Sequence, residues 1–367
     1  MRYFILLSYA LVVMGCSQPH TSSSSSPNQS QLIPSESKLL STSLNELMLE
    51  FGHEQGELLS KIESKLADTE PDESSVLLLL KAAIAIADDK LDIAREALRQ
   101  LKQLSLTDDQ LGLAAILQAR IHYSLGQIDD LNALLTQATE KLSQTQDPIL
   151  RFWLAADQLL ISAYTKDDKV FDKASDYALS HLNVVPENLL GQSMLNVVAI
   201  GLTTGGRYNQ AIDVENIKVE RDEALGNIKG LSDSYYNLGG LYRNLLQPEL
   251  ALFNFMQCFD YSEQLGSELD QAFALQQMGA VAFELEDYEN AESWSRKAYA
   301  LAYSTKTQQL YIPTNVTLAK VIASSLPEES RELIQEARKL SDEYKVEHFL
   351  KEIEIVEREL DKQATIK

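Results

Sequence analysis

The chain has 367 residues, 45% of them hydrophobic and 23% charged, which is ordinary for a water-soluble protein with a sizeable core. Its 54 Asp and Glu against 32 Lys and Arg leave a formal net charge of -22, which repels phosphates and argues against a nucleic-acid partner. Two cysteines, Cys16 and Cys258, make neither a disulfide framework nor a metal cluster, and 15 Gly with 9 Pro favour helices over turn-rich β structure.

Met1-Arg2-Tyr3 is a short basic start and Phe4–Val13 an apolar run. That run is too short to cross a hydrocarbon core of about 30 Å as a helix, and it has the layout of a secretory signal peptide over residues 1–15. It ends in Val13-Met14-Gly15-Cys16, which resembles the lipobox of bacterial lipoproteins. The resemblance implies cleavage before Cys16, acylation of its thiol and amine, and, with Ser17 next, an outer-membrane destination facing the periplasm. Met14 departs from the small residue usual at that place. Residues 16–37 are rich in Ser and Pro and hold almost nothing that could form a core, so they read as a tether.

Residues 38–73 are expected to form N-terminal helices. Leu44, Leu47, Met48 and Phe51, then Leu58, Leu59, Ile62 and Leu66, keep helical spacing, and Gly52 and Gly56 leave open one kinked helix or two short ones. Pro71-Asp72-Glu73-Ser74 reads as a helix start, and Val76–Ala87 is apolar nearly all round, as in a helix buried on two sides. The segment before it is expected to lie against it.

A period of about 40 residues runs through residues 74–345. Its anchors are the small residues that open every second helix: Ala94, Leu131, Ala174, Ala211, Ala251, Ala291 and Ser330, spaced 37, 43, 37, 40, 40 and 39. Turns between paired helices recur as Asp88-Asp89-Lys90-Leu91, Leu125-Gly126-Gln127-Ile128, Gly205-Gly206-Arg207-Tyr208 and Glu286-Asp287-Tyr288. Gly226 and Gly266 stand where Gly would end the second helix of a pair. Val346, Phe349, Leu350, Ile353, Val356 and Leu360 share one helical face, which makes residues 346–367 a capping helix and tail.

The copy at Tyr235, Leu238-Gly239, Tyr242, Ala251, Phe255 and Cys258 resembles the tetratricopeptide repeat, in the longer-helix subclass with units of roughly 40 residues. The resemblance implies an all-α, right-handed α-solenoid of about seven stacked antiparallel helix pairs with a C-terminal cap. It also implies that the first helices line a concave groove. On that alignment the groove carries Asn196, Thr203, Tyr236, Asn237, Arg243, Asn244, Gln276, Gln277 and Phe283. Asn and Gln can both donate to and accept from a bound backbone, Arg243 can pair with a carboxylate, and Tyr236 and Phe283 add apolar contact. The same residues also suit a merely polar helix face. The corresponding positions nearer the N-terminus are mostly apolar (Val76, Leu79, Ala83, Ile86, Leu113, Ile116), so that end is expected to be filled by the N-terminal helices or a second copy.

Catalytic and metal constellations are missing from the pattern. The five histidines are scattered, and Gly201–Gly206 lacks the Lys-Ser/Thr of a phosphate loop. Cys258 sits at a small core position, and the acidic run Glu352–Asp361 reads as a solvated helix face. The reading is therefore a non-enzymatic, cofactor-free outer-membrane lipoprotein that holds a protein or peptide beside an envelope assembly: pilus, secretion, polysaccharide export or cell-wall machinery. The alternatives are a ligand-binding sensor signalling through solenoid curvature and an envelope enzyme whose site only the fold assembles.

Overall fold

The computed structural model describes residues 39–51 and 55–366. The lipobox, Cys16, the tether and His53 lie outside them. Among the described residues all regular structure is helical, with 17 α-helices and two short 3-10 turns at Leu142–Gln144 and Leu182–Val184. The chain divides into two compact units, residues 1–154 and 155–367.

The first unit opens with α1 (Leu40–Phe51) and α2 (Gln55–Leu66); Gly52 lies outside the described residues and Gly56 falls inside α2. Both pack on α3 (Pro71–Ala87). Leu44, Met48, Leu58 and Ile62 are thereby buried together with the apolar run of α3, where Leu77, Leu79 and Leu80 have no exposed surface. The N-terminal helices thus cover the apolar first helix, one of the two expected outcomes. Lys81, buried in that run, keeps its charge paired by reaching Glu63 at 2.9 Å. α4 (Leu91–Leu101), α5 (Asp108–Ser124) and α6 (Leu131–Lys141) follow, with α3/α4 and α5/α6 packed as hairpins. Thr107 and Gln110 close a reciprocal capping box at the start of α5.

α7 (Pro148–Thr165) runs across the boundary. The second unit then contains α8 (Asp168–Ser180), α9 (Leu189–Thr204), α10 (Tyr208–Leu225), α11 (Ile228–Asn244), α12 (Pro248–Leu265), α13 (Glu268–Glu284), α14 (Tyr288–Ser304), α15 (Gln308–Ile322) and α16 (Pro327–Tyr344). From α9 onward each first helix packs on its own second helix and on the second helix of the preceding pair. The last helix, α17 (Leu350–Ile366), seals α15 and α16 with Ile353, Val356 and Leu360, none more than 1% exposed.

The repeat is most regular in the backbone. Left-handed residues recur at Asp89, Gly126, Lys166, Gly206, Leu246 and Glu286, so the successive corners stand 37, 40, 40, 40 and 40 residues apart. Each lies five residues before a buried helix-opening side chain. In the third unit that side chain is Phe171, not Ala174 as the small-residue pattern suggests, and the irregular spacings of 43 and 37 vanish. The reason is volume. The ring of Phe171 fills the space that a side chain at Gly205 would need, so a large residue paired with a glycine replaces the small one expected there. Helices α10 and α12 stop on Gly226 and Gly266, at φ 64° and 63°, as their sequence suggests.

Candidate functional site

Two adjacent glycines separate the faces of α11. A Cβ at Gly239 would stand 2.6 Å from the Phe255 ring, so only Gly lets α11 and α12 approach. A Cβ at Gly240 would meet nothing within 4 Å, which marks the side of the helix left open. Asn237, Arg243 and Asn244 lie around Gly240 and are all half-buried. Gln277 of α13 links the two first helices: its Nε2 donates to Tyr236 Oη at 3.4 Å, and its Oε1 accepts from Arg243 Nη1 at 3.0 Å. Arg243 also donates to Glu284 Oε1 from Nε and Nη2, at 3.1 and 2.6 Å. One guanidinium therefore ties α11 to α13 on the open face.

Tyr236 contributes differently from its sequence reading. It is only 9% exposed, edge-on to Phe255 and Phe273, and burial pushes its hydroxyl above the usual tyrosine range. Its ring is core and its Oη reaches the face. Gln276 is likewise buried, donating to Thr317 Oγ1 of α15 at 2.8 Å, while Oε1 is without a hydrogen bond. Phe283 sits edge-on to Tyr288, with Lys320 Nζ 5.2 Å above its ring. Thr203 turns back to donate to Ala199 O of its own helix.

A second cluster lies under the face, and the sequence reading missed its core. On α10, Glu215, Lys218 and Asp222 are 1%, 4% and 1% exposed. Lys218 Nζ donates to Glu215 Oε2 at 2.8 Å and to Asn196 Oδ1 of α9 at 3.0 Å. Glu215 Oε1 accepts from Asn237 Nδ2 of α11 at 3.0 Å. Asp222 accepts from Asn227 Nδ2 at 2.7 Å, and burial pushes its carboxyl above the usual range against that bond and one from Gln192. The signal was available. Forty residues on, the same positions hold Phe255, Cys258 and Ser262, so charges occupy a seam that is apolar or small in the next copy.

Among the described residues, the cysteine and histidines singled out in the sequence stand apart from one another. Burial pushes the Cys258 thiol up to about 12, beside Ser232 and Ser262, which makes it a core filler. His122 Nδ1 faces Asp130 at 3.5 Å, and His181 stacks on Tyr177. Among the described residues no group of three His, Cys, Asp or Glu could hold a metal ion. No described helix is long and apolar enough to cross a membrane.

No family model matches the chain, and no curated protein matches it in sequence. Solved structures do match it. A signal-transduction ATPase with numerous domains and a tetratricopeptide-repeat sensor, from Pyrococcus horikoshii, superposes with a TM-score of 0.59 at 16% identity, over 82% of this chain and 46% of that one. The fold is that of a tetratricopeptide-repeat protein. A Rap protein complexed with Competence and Sporulation Factor gives a TM-score of 0.55 at 15% identity, over 88% of this chain and 99% of that one. The apo form of the quorum sensor NprR from B. thuringiensis gives 0.53 at 12% identity, over 88% and 98%. On this fold α9, α11, α13 and α15 are the first helices of their pairs, and α11 and α13 share the open side marked by Gly240 and by the Arg243–Gln277 bond. Asn237, Arg243, Asn244 and Gln277 belong to it directly. Asn196 reaches the buried charges below it, Tyr236 and Gln276 form its floor, and Thr203 bonds within its own helix.

Proposed function

We propose that the protein is a non-catalytic scaffold that holds a peptide or protein segment against the first-helix face of α11 and α13. The observation that carries this reading is the bare Gly240 position, flanked by amides and by Arg243, where a bound backbone can approach without displacing packed atoms. The Arg243–Glu284 pair is about one-third exposed at both ends, so a ligand carboxylate can compete for the guanidinium.

A photo-crosslinking side chain placed at Gly240 tests it in the native envelope, with Glu220 on the outer side of α10 as the control position. A discrete adduct from Gly240 and none from Glu220 supports the reading; equal labelling, or none, ends it. The lipobox resemblance adds an anchor at Cys16 and a place on the periplasmic side of the outer membrane, beside an envelope assembly. Cys16→Ser should then move the protein from the membrane pellet to the soluble fraction.

One observation favours a sensor as the second reading. Two solved structures that share the fold over most of their length are described as a Rap protein with its factor and a quorum sensor. A ligand on this face would also act on the Glu215–Lys218 pair through Asn237. Ligand-induced change in solution scattering by the whole chain separates a sensor from a passive scaffold.

A further inference from the structure

The outer side of α12 differs from those of its siblings. Leu250, Phe253 and Met256 of α12 are 46%, 56% and 43% exposed and follow one another at helical spacing, and Leu246, in the corner that leads into the helix, is 87% exposed. Forty residues earlier the same four places hold Gly206, Gln210, Asp213 and Asn216; forty later they hold Glu286, Asn290, Ser293 and Arg296. The fold therefore does not need an apolar side chain at any of them. Leu246 adds a second anomaly, because it takes a left-handed corner at φ 56° where the sibling corners are Gly or polar. A bulky apolar residue is held there in an unfavourable conformation and in water.

We infer that this ridge is a docking surface for an amphipathic helix of another protein, with an apolar stripe flanked by Lys or Arg. The helical part of the ridge, Leu250 to Met256, is one side chain wide and, at 1.5 Å per residue, about 9 Å long, with Leu246 extending it at the corner, which suits a helix laid alongside better than a flat sheet. Charge selects the partner. Helix α12 contains Glu249, Asp260 and Glu263, all exposed, and no Lys or Arg. A second copy of the chain would set these carboxylates against themselves, and an anionic lipid surface would be repelled. Basic flanks on the incoming helix would be attracted. The surface is on a second helix, so it works independently of the first-helix face.

The test uses the full mature chain and three helical peptides: one of alternating Leu and Lys in amphipathic order, its scrambled isomer, and a Leu/Glu counterpart. Fluorescence anisotropy should show the ordered Leu/Lys peptide binding and the other two not. The combined variant Leu246→Gly, Leu250→Gln, Phe253→Asp, Met256→Asn borrows residues its own fold already accepts, so its melting temperature should hold or rise. It should bind at least about tenfold more weakly, the effect of losing a buried anchor. Phe253→Ser, which adds no charge, should show a loss in the same direction. Gly240→Gln on the other face should bind as the wild type. Undiminished binding to the combined variant, or equal binding of the scrambled peptide, would make the attraction mere net charge and overturn the inference. So would a wild-type dimer in sedimentation velocity that the variant abolishes, or vesicle flotation that the variant loses, because the occupant would then be a second copy or a bilayer.

Discussion

A methyl group added at Gly239 lands 2.6 Å from the Phe255 ring, whereas one added at Gly240 meets nothing. Both residues are mid-helix, so both gain from replacing Gly by Ala through backbone entropy. Packing decides the sign: Gly239→Ala should lower unfolding stability by about 1–3 kcal/mol, and Gly240→Ala should raise it by about 0.5–1 kcal/mol. Denaturant titration of the two variants in parallel checks the contrast, and a loss at Gly240 would mean that its side is not open. The buried charges make a sharper case. Lys218→Met leaves Glu215 buried beside only Asn237, and should destabilise by about 3–5 kcal/mol. Replacing Glu215, Lys218 and Asp222 together by the Phe, Cys and Ser of the next copy should be neutral or stabilising, because no buried charge is then left alone. Asp222 also fixes a pH dependence. Its folded-state pKa is raised by burial above the ordinary 3.8, so its contribution is fullest below that value and is lost as pH rises through the raised one. The stability of the wild type relative to Asp222→Ser should therefore fall as the pH rises above about 4.

Helices were legible where spacing alone determines them. The apolar stripe of α17, the buried run in α3 and the Gly stops of α10 and α12 follow from hydrophobic period and from the conformational freedom of Gly, both written in single residues. The third repeat was not legible in register, because Phe171 and Gly205 exchange volume and a pattern of small residues slides to Ala174. The site divides in the same way. Asn237, Arg243 and Gln277 could be placed on the open face from helical phase. The inward turn of Tyr236 depends on two rings brought from α12 and α13, which phase does not contain. Glu215, Lys218 and Asp222 were missed because surface helices usually expose such residues, and only comparison with Phe255, Cys258 and Ser262 reveals their burial. At this scale α17 carries the clearest expectation. Truncation after Lys345 uncovers apolar surface on α15 and α16, since α17 packs on both of them. The truncated chain should melt at lower temperature and elute from size exclusion as concentration-dependent larger species; an unchanged monomer would show that α17 is dispensable.

Across the whole molecule, charge acts in two opposing ways. Ion pairs join successive units or the last unit to its cap, as in Arg243–Glu284, Arg296–Glu329 and Arg338–Glu357, at 2.6–2.7 Å. All are partly exposed, so each contributes about 0–1 kcal/mol and loses part of that in salt. Against them stands a formal charge of -22. That excess repels itself over distances comparable to the Debye length, which shrinks from about 30 Å at 0.01 M salt to about 8 Å at 0.15 M. With 54 acidic residues against 32 Lys and Arg, pairing one to one leaves a surplus of 22 carboxylates, so repulsion outweighs pairing. The melting temperature should therefore rise as sodium chloride goes from 0.01 to about 0.3 M, with most of the gain below about 0.15 M, where the screening length changes fastest. Charge-neutral osmolytes adjusted to the same osmolality should not reproduce that early rise. A fall in melting temperature over the same range would place the net balance with the inter-repeat ion pairs instead, and Arg296→Gln, which removes one of them, should then flatten the salt curve.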